Sequence, residues 1–171
     1  VKIGAGAGTW DHFDYFESLA KNTSLDYIDM HVYPIQRDFL IENTIRIAKI
    51  ARAYDKRLTV GEAWLYKAAE KEFSGLEASQ PLIFARDVYD FWIPLDEKFL
   101  EVMVKLSHYV KLEFCSLFWM RYLYGYLEYN KATRNMKPIQ LFRQINGVAY
   151  RNMVTNTLSQ TGVTFQRLIK E

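Results

Sequence analysis

The segment LTVGEAWLY, residues 58–66, places a charged side chain directly after an apolar strand pattern. Leu58 to Val60 are typical of a buried β-strand, and Gly61 lets the backbone turn. Glu62 follows at once, and Trp64 comes two residues later. A carboxylate so close to a buried strand needs solvent or a polar partner, because burying an unpaired charge is costly. The segment therefore predicts a strand whose C-terminal end opens into a cleft or mouth.

Outward from this segment, the hydrophobic pattern alternates between strand and helix periods. It predicts strands at 1–8, 25–35, 57–64 and the first part of 113–127, and helices at 11–22, 38–55, 96–112 and 137–158. Asp38 is the expected N-cap of the second helix, and the long connection 65–95 is expected to contain short helical turns. Strands that alternate with helices indicate right-handed crossovers and a parallel sheet. We therefore expect an α/β fold of parallel βα units in a single domain, residues 1–171.

Two parallel folds fit this order of elements. The glycines of GAGAG stand at positions 4, 6 and 8, whereas a dinucleotide-binding fingerprint would need its third glycine where Thr9 stands. A short Gly/Ala strand is equally natural where the interior of a barrel must stay narrow. A full (β/α)8 barrel has eight units in about 250 residues, so four units amount to half of one. A doubly wound open sheet and a half-barrel both remain open at this point.

Each predicted strand ends in polar or aromatic side chains, which four buried strands do not need for packing alone. These residues are Trp10, Asp11 and His12 after the first strand, His31 and Tyr33 after the second, Glu62 and Trp64 after the third, and Trp119, Arg121 and Tyr122 after the fourth. In barrel enzymes the reactive groups lie at the C-terminal ends of the strands. The pattern therefore favours the barrel, with one site built from all four strand ends.

The composition excludes several other classes of protein. The 22 basic and 20 acidic residues are interspersed and give a net charge of +2, so no basic patch indicates binding to nucleic acid. No apolar run approaches the ~18 residues that a membrane-spanning helix needs. The single cysteine, Cys115, lies in an apolar stretch, which indicates a structural thiol and excludes an intrachain disulfide. We expect neither a nucleic acid nor a membrane as a partner.

Three motifs resemble one family. DMHVYP (29–34), TVGEAW (59–64) and FCSLFWMRYLYG (114–125) are similar to the sixth, seventh and eighth strands of the retaining glycoside hydrolases with a (β/α)8 barrel, the clan of cellulases, mannanases and β-galactosidases. The resemblance covers roughly residues 1–130. It implies that Glu62 is the nucleophile, that Tyr33 of the His31-Val32-Tyr33 motif hydrogen-bonds it, and that Trp119 forms the floor of a sugar subsite. The substrate would be a carbohydrate, with Trp10, Trp64, Tyr122 and Arg121 as further contacts.

One departure from that family has a direct consequence. Its acid/base Glu follows an Asn at the end of the fourth strand, and this sequence contains no Asn-Glu dipeptide. The resemblance therefore implies that residues 1–171 are strands five to eight of a longer protein and inactive alone. We expect them to pair with an N-terminal half-barrel or with a second copy. The mechanism needs no cofactor and no metal.

Two other functions remain alternatives. In the first, Asp11, His12, Asp29, His31 and Glu62 offer nitrogen and oxygen ligands from three strand ends to Zn, Mn or Mg. In the second, the half-barrel binds carbohydrate or serves as a structural element without turnover. Metal dependence of any activity would indicate the first, and sugar binding without turnover the second.

Overall fold

The computed structural model describes residues 1–34, 39–69, 72 and 80–170. Four strands lie in one sheet: β1 (Gly4–Gly8), β2 (Tyr27–Val32), β3 (Arg57–Ala63) and β4 (Cys115–Leu117). The described helices are α1 (Phe13–Asn22), α2 (Phe39–Ala53), α3 (Gln80–Arg86), α4 (Ile93–Tyr109), α5 (Pro138–Val154) and α6 (Gln160–Leu168). Two short 3-10 helices span Asp90–Trp92 and Met120–Leu123. The predicted α/β fold of parallel βα units is confirmed.

The strands lie in the order β1-β2-β3-β4, and every neighbouring pair is parallel. Among the described strands the order therefore never reverses. A doubly wound sheet binds its ligand at a point where the strand order reverses. The open dinucleotide-binding sheet consequently gains no support from this topology.

The chain divides into two compact units. Unit 1 comprises residues 1–65 and 105–118, and therefore contains the whole sheet with α1 and α2. Unit 2 comprises residues 66–104 and 119–171, and contains α3, α5, α6 and most of α4. The expectation of a single domain stays a prediction.

The core of unit 1 follows from the alternation of side chains along β2. Ile28, Met30 and Val32 are completely buried, and they alternate with the half-buried Tyr27, Asp29 and His31. Helices α1 and α2 pack against β2 and against each other, and they bury Phe16 and Ile47. Removing such side chains from water is the main favourable contribution to folding. One face of β2 is thus apolar, and the other presents polar groups.

Unit 2 is mainly helical. Helix α5 begins with Pro138 at its first position, where the missing N–H costs no hydrogen bond. It ends at Val154, and Asn156 then takes a positive φ of 52°. Asn tolerates this left-handed conformation better than most residues, and the chain turns there into α6. The Ser159 hydroxyl caps α6 by accepting a hydrogen bond from the Gly162 N–H at 3.1 Å.

Several predicted boundaries were wrong in instructive ways. The prediction of a single helix over 137–158 missed the break after Val154, and a further helix, α6, begins at Gln160. Helix α4 begins at Ile93 rather than 96, because Pro94 is tolerated in a first helical turn. Strand β4 has only three residues before the chain enters the Met120–Leu123 turn. The helical turns expected in 65–95 are present as α3 and Asp90–Trp92, whereas Asp38 lies outside the described residues.

Among the helices of residues 1–34, 39–69, 72 and 80–170, none is both long enough and apolar enough to cross a membrane.

Candidate functional site

A β-bulge in β3 determines where Glu62 points. Met30 of β2 is paired with Val60, but the next residue, His31, is paired with Glu62, so Gly61 is an extra residue in β3. Without it, simple alternation would turn Glu62 toward the face of β2 that α1 and α2 cover. The bulge therefore places Glu62 on the polar face, beside His31. Bulges commonly re-aim a side chain next to an active site.

The identity of the bulge residue follows from the space that Asp29 occupies. A Cβ at Gly61 would lie 2.5 Å from Oδ2 and 3.0 Å from Oδ1 of Asp29. No described glycine has a positive φ, so backbone conformation is not the reason for glycine here. The Thr59 hydroxyl donates a hydrogen bond to Oδ1 of Asp29 at 2.5 Å and fixes the carboxylate in that position. The Asp29 carboxylate therefore occupies the space that a side chain at position 61 would need.

Glu62 has two close polar neighbours. The Tyr33 hydroxyl donates a hydrogen bond to Oε2 of Glu62 at 2.8 Å, and Nδ1 of His31 lies 3.5 Å from the same oxygen. The ring of Tyr33 is buried, whereas the side chain of Glu62 is 37% exposed. The carboxylate is thus oriented by a fixed phenol and still open to a ligand.

His31 lies between two carboxylates. Its Nε2 is 3.4 Å from Oδ2 of Asp29, and its Nδ1 faces Glu62. Both separations are somewhat longer than a typical hydrogen bond. We call Asp29, His31, Tyr33 and Glu62 the Glu62 site.

Two exposed aromatic rings flank the Glu62 site. The Trp10 ring is 57% exposed, and its centre lies 6.1 Å from that of Tyr33. The Phe118 ring is 44% exposed, and it meets Tyr33 edge-on at 5.8 Å. Tyr33 and Phe118 come directly after β2 and β4, and Trp10 comes two residues after β1, so all three lie at the C-terminal edge of the sheet. Exposed ring faces at this edge can stack on the apolar faces of a sugar.

The sequence did not single out Phe118. Phe118 is the first residue after β4, which is the position of a strand-end group, whereas the resemblance points to the neighbouring Trp119. The N–H of Phe118 donates to the carbonyl oxygen of Ala63 at 3.1 Å, which continues the β3–β4 pairing and places Phe118 in unit 1.

Trp64 requires a correction. It was expected to contact substrate, but it is completely buried, so it has no ring face on which a sugar could stack. Its N–H donates to the carbonyl oxygen of Val32 at 3.2 Å, which ties the end of β3 to β2.

Trp119, Arg121 and Tyr122 belong to unit 2 and lie close to one another there. The guanidinium of Arg121 lies 4.2 Å from the ring centre of Trp119 and donates a hydrogen bond to Asn146 at 2.9 Å. Burial lowers the pKa of Arg121 from its ordinary value. Tyr122 is buried, so the prediction that it contacts substrate is not supported. Trp119 is only partly buried, and its role as a sugar-stacking ring stays a prediction.

The metal alternative gains no support. Asp11 and His12 are exposed, and neither belongs to the contacts that join Asp29, His31 and Glu62. Within residues 1–34, 39–69, 72 and 80–170, no group of three or more His, Cys, Asp and Glu side chains is arranged to hold a metal ion.

A buried ionic cluster in unit 2 was not predicted. Nζ of Lys67 lies 2.5 Å from Asp96 and 3.9 Å from Asp87, and all three side chains are almost completely buried. The Tyr126 hydroxyl donates to Asp96 at 2.9 Å and lies 3.0 Å from the hydroxyl of Thr161. Burial raises the pKa of Asp96 above its ordinary value, although the Lys67 ammonium opposes this effect. The cluster joins the start of unit 2 to α4, and we assign it to folding.

Cys115 is not arranged as a nucleophile. Burial raises the pKa of its thiol to about 11, with a hydrogen bond to Ser107 partly opposing the shift. A reactive cysteine needs a lowered pKa.

Comparison of the chain with protein-family models and with curated proteins finds no match.

Proposed function

We propose that this chain carries the nucleophile side of a retaining glycoside hydrolase site, within one half of a (β/α)8 barrel. The main observation in support of this proposal is the 2.8 Å hydrogen bond that the Tyr33 hydroxyl donates to Glu62 at the C-terminal edge of a parallel sheet. A strand-end carboxylate held by a phenol is the arrangement that the resemblance of the three strand motifs implied. The exposed Trp10 and Phe118 rings beside it support a carbohydrate as the substrate.

The half-barrel is supported by strand order and by the position of the site. Four parallel strands in sequential order are what half of a barrel presents, and barrel enzymes carry their active groups at the C-terminal ends of the strands. Among the described strands, β1 and β4 are each paired on one side only. The proposal therefore requires a partner for these edges, either an N-terminal half-barrel or a second copy of this chain.

In the proposed reaction a carboxylate oxygen of Glu62 forms a bond to the anomeric carbon while the glycosidic C–O bond breaks. The leaving oxygen takes a proton from a second carboxylic acid, about 5 to 5.5 Å from Glu62, which the partner half supplies. Water then cleaves the glycosyl ester and restores Glu62. Tyr33 and His31 both contact Oε2 of Glu62, so we assign the attack to Oε1.

The test uses the protein expressed from its complete reading frame, with Glu62→Ala and a panel of aryl glycosides. Removing a nucleophile should lower kcat by about 10⁴-fold or more. Added azide should restore aryl release and give a glycosyl azide of inverted anomeric configuration, because azide attacks from the face that Glu62 vacates. The matched control is Glu42→Ala, which removes an exposed carboxylate of α2 and should leave turnover unchanged.

A second variant, Tyr33→Phe, removes only the hydroxyl that donates to Glu62. Hydrogen bonds to charged groups contribute about 1.5–3 kcal/mol, and partial exposure of Glu62 reduces this to about 1–2 kcal/mol, or ~5–30-fold in kcat. Full activity of Glu62→Ala would contradict the proposal. Sugar binding without turnover in the wild type would do so as well, and would favour a binding module.

A further inference from the structure

We propose that Asp29 is a positioning residue that acts on Glu62 through His31. This inference rests on the proposed function, because it assigns Asp29 a part in placing the nucleophile. The imidazole of His31 lies between the two carboxylates, 3.4 Å from Oδ2 of Asp29 and 3.5 Å from Oε2 of Glu62.

The sheet register places the three side chains on one face. Asp29 and His31 are two residues apart in β2, so their side chains point the same way. The bulge pairs His31 with Glu62, which puts the third group on that face as well. Nε2 of His31 then faces Asp29 at 3.4 Å, and Nδ1 faces Glu62 at 3.5 Å. One nitrogen of the His31 ring therefore faces each of the two carboxylates.

Asp29 is held more firmly than a solvated carboxylate would be. Thr59, which is 1% exposed, donates a hydrogen bond to Oδ1 and leaves Oδ2 to face the imidazole. Gly61 leaves the space that the carboxylate fills. Thr59 and Gly61 of β3 thus both accommodate the Asp29 carboxylate. The bulge at Gly61 also places Glu62 beside His31.

The chemical consequence concerns the orientation of the ring. A carboxylate at one imidazole nitrogen fixes the hydrogen and the rotation of the ring, as in the Asp-His pair of serine proteases. Asp29 faces Nε2 and Glu62 faces Nδ1, so the Asp29 carboxylate favours the ring rotation that directs Nδ1 at Glu62. Without the carboxylate the ring can rotate or exchange its hydrogen, and Glu62 loses one of its two oriented neighbours.

The first experiment compares Asp29→Asn with the wild type in the complete protein. Asn keeps the size of the side chain and removes its charge, and we expect kcat to fall by about 10-fold with KM within 2-fold. Thr59→Val should produce a smaller fall, since the carboxylate stays but loses its donor. Asp14→Asn is the control, since it neutralises an exposed carboxylate of α1 and should change neither parameter.

The second experiment reads the imidazole directly and does not depend on turnover. Ring ¹⁵N signals of His31, assigned through His31→Gln against the other two histidines, should change at Nε2 in Asp29→Asn, because that nitrogen loses the carboxylate that it faces. Unchanged His31 signals together with unchanged kcat would overturn the inference. A loss of thermal stability with unchanged His31 signals would also overturn it, because Asp29 would then serve the fold alone.

The two proposals fail in different ways. If the wild-type protein hydrolyses no glycoside and azide rescues nothing, the proposed function is refuted, and the ¹⁵N signals still decide whether Asp29 orients His31. If Glu62→Ala behaves as proposed but Asp29→Asn keeps full kcat, only the inference about Asp29 is overturned.

Discussion

Replacement of Gly61 by alanine should damage both the fold and the Glu62 site. The new Cβ would lie 2.5 Å from Oδ2 of Asp29, whereas ordinary contact begins at 3.4 Å, so the carboxylate would have to retreat by almost an ångström. Thr59 holds that carboxylate by a hydrogen bond, which opposes the retreat. Overpacking of this kind costs about 1–3 kcal/mol, and the entropic gain of Gly→Ala returns about 0.4–1 kcal/mol. We expect a net loss of about 1–2 kcal/mol in the free energy of unfolding.

The matched control is the same substitution at Gly147. This residue lies inside α5, and a Cβ there would come no closer than 3.5 Å to the end of the Arg151 side chain. Alanine in a helix interior is favoured over glycine, so Gly147→Ala should raise the unfolding free energy by about 0.5–1 kcal/mol. Urea unfolding followed by fluorescence measures both variants. A Gly61→Ala protein as stable as Gly147→Ala, with unchanged His31 signals, would refute the account of the bulge.

The remaining predictions concern buried ionisable groups. Lys67→Met removes the ammonium that lies 2.5 Å from the buried Asp96 carboxylate and should lower the unfolding free energy by about 3–5 kcal/mol in urea titrations. The exposed control Lys49→Met should stay within about 0.5 kcal/mol. A loss below about 1 kcal/mol for Lys67→Met would contradict the burial of this cluster. The pKa of Asp96 is raised on folding, so its contribution to stability is fully present below pH 3.8 and is lost as pH rises through the raised value. The stability of the wild type relative to Asp96→Asn should therefore fall over that range. A rise would contradict the direction of the shift. The pKa of the Cys115 thiol is about 11 instead of 9.0, so the thiol should react with iodoacetamide about 100-fold more slowly in folded than in unfolded protein near pH 8. Equal rates would contradict the burial of this thiol.

The alternation of strands and helices was predictable because each element has its own hydrophobic period. Ile28, Met30 and Val32 alternate with polar residues, and this period of two is visible in the sequence itself. The length of β4 was not predictable, because the apolar and aromatic pattern continues beyond Leu117 while the backbone turns at Met120. Local pattern therefore identified the elements better than their ends.

The site was predictable in its members but not in its geometry. His31 and Tyr33 share a face by simple alternation, and the structure brings Tyr33 to Glu62. The bulge that aligns Glu62 with them depends on pairing between β2 and β3, which no local pattern encodes. For the same reason the sequence alone could not tell that Trp64 is buried and Phe118 exposed.

The most direct test of the central claim is to trap the glycosyl ester on Glu62. The complete protein is treated with activated 2-deoxy-2-fluoroglycosyl fluorides of the common pyranoses, and the labelled peptide is mapped by mass spectrometry. Attack by Glu62 would form a bond from its carboxylate oxygen to the anomeric carbon and release fluoride, and the account predicts a stable adduct on Glu62 that is absent from Glu62→Gln. An adduct on a different carboxylate, or hydrolysis of glycosides with inversion and no adduct, would contradict the account.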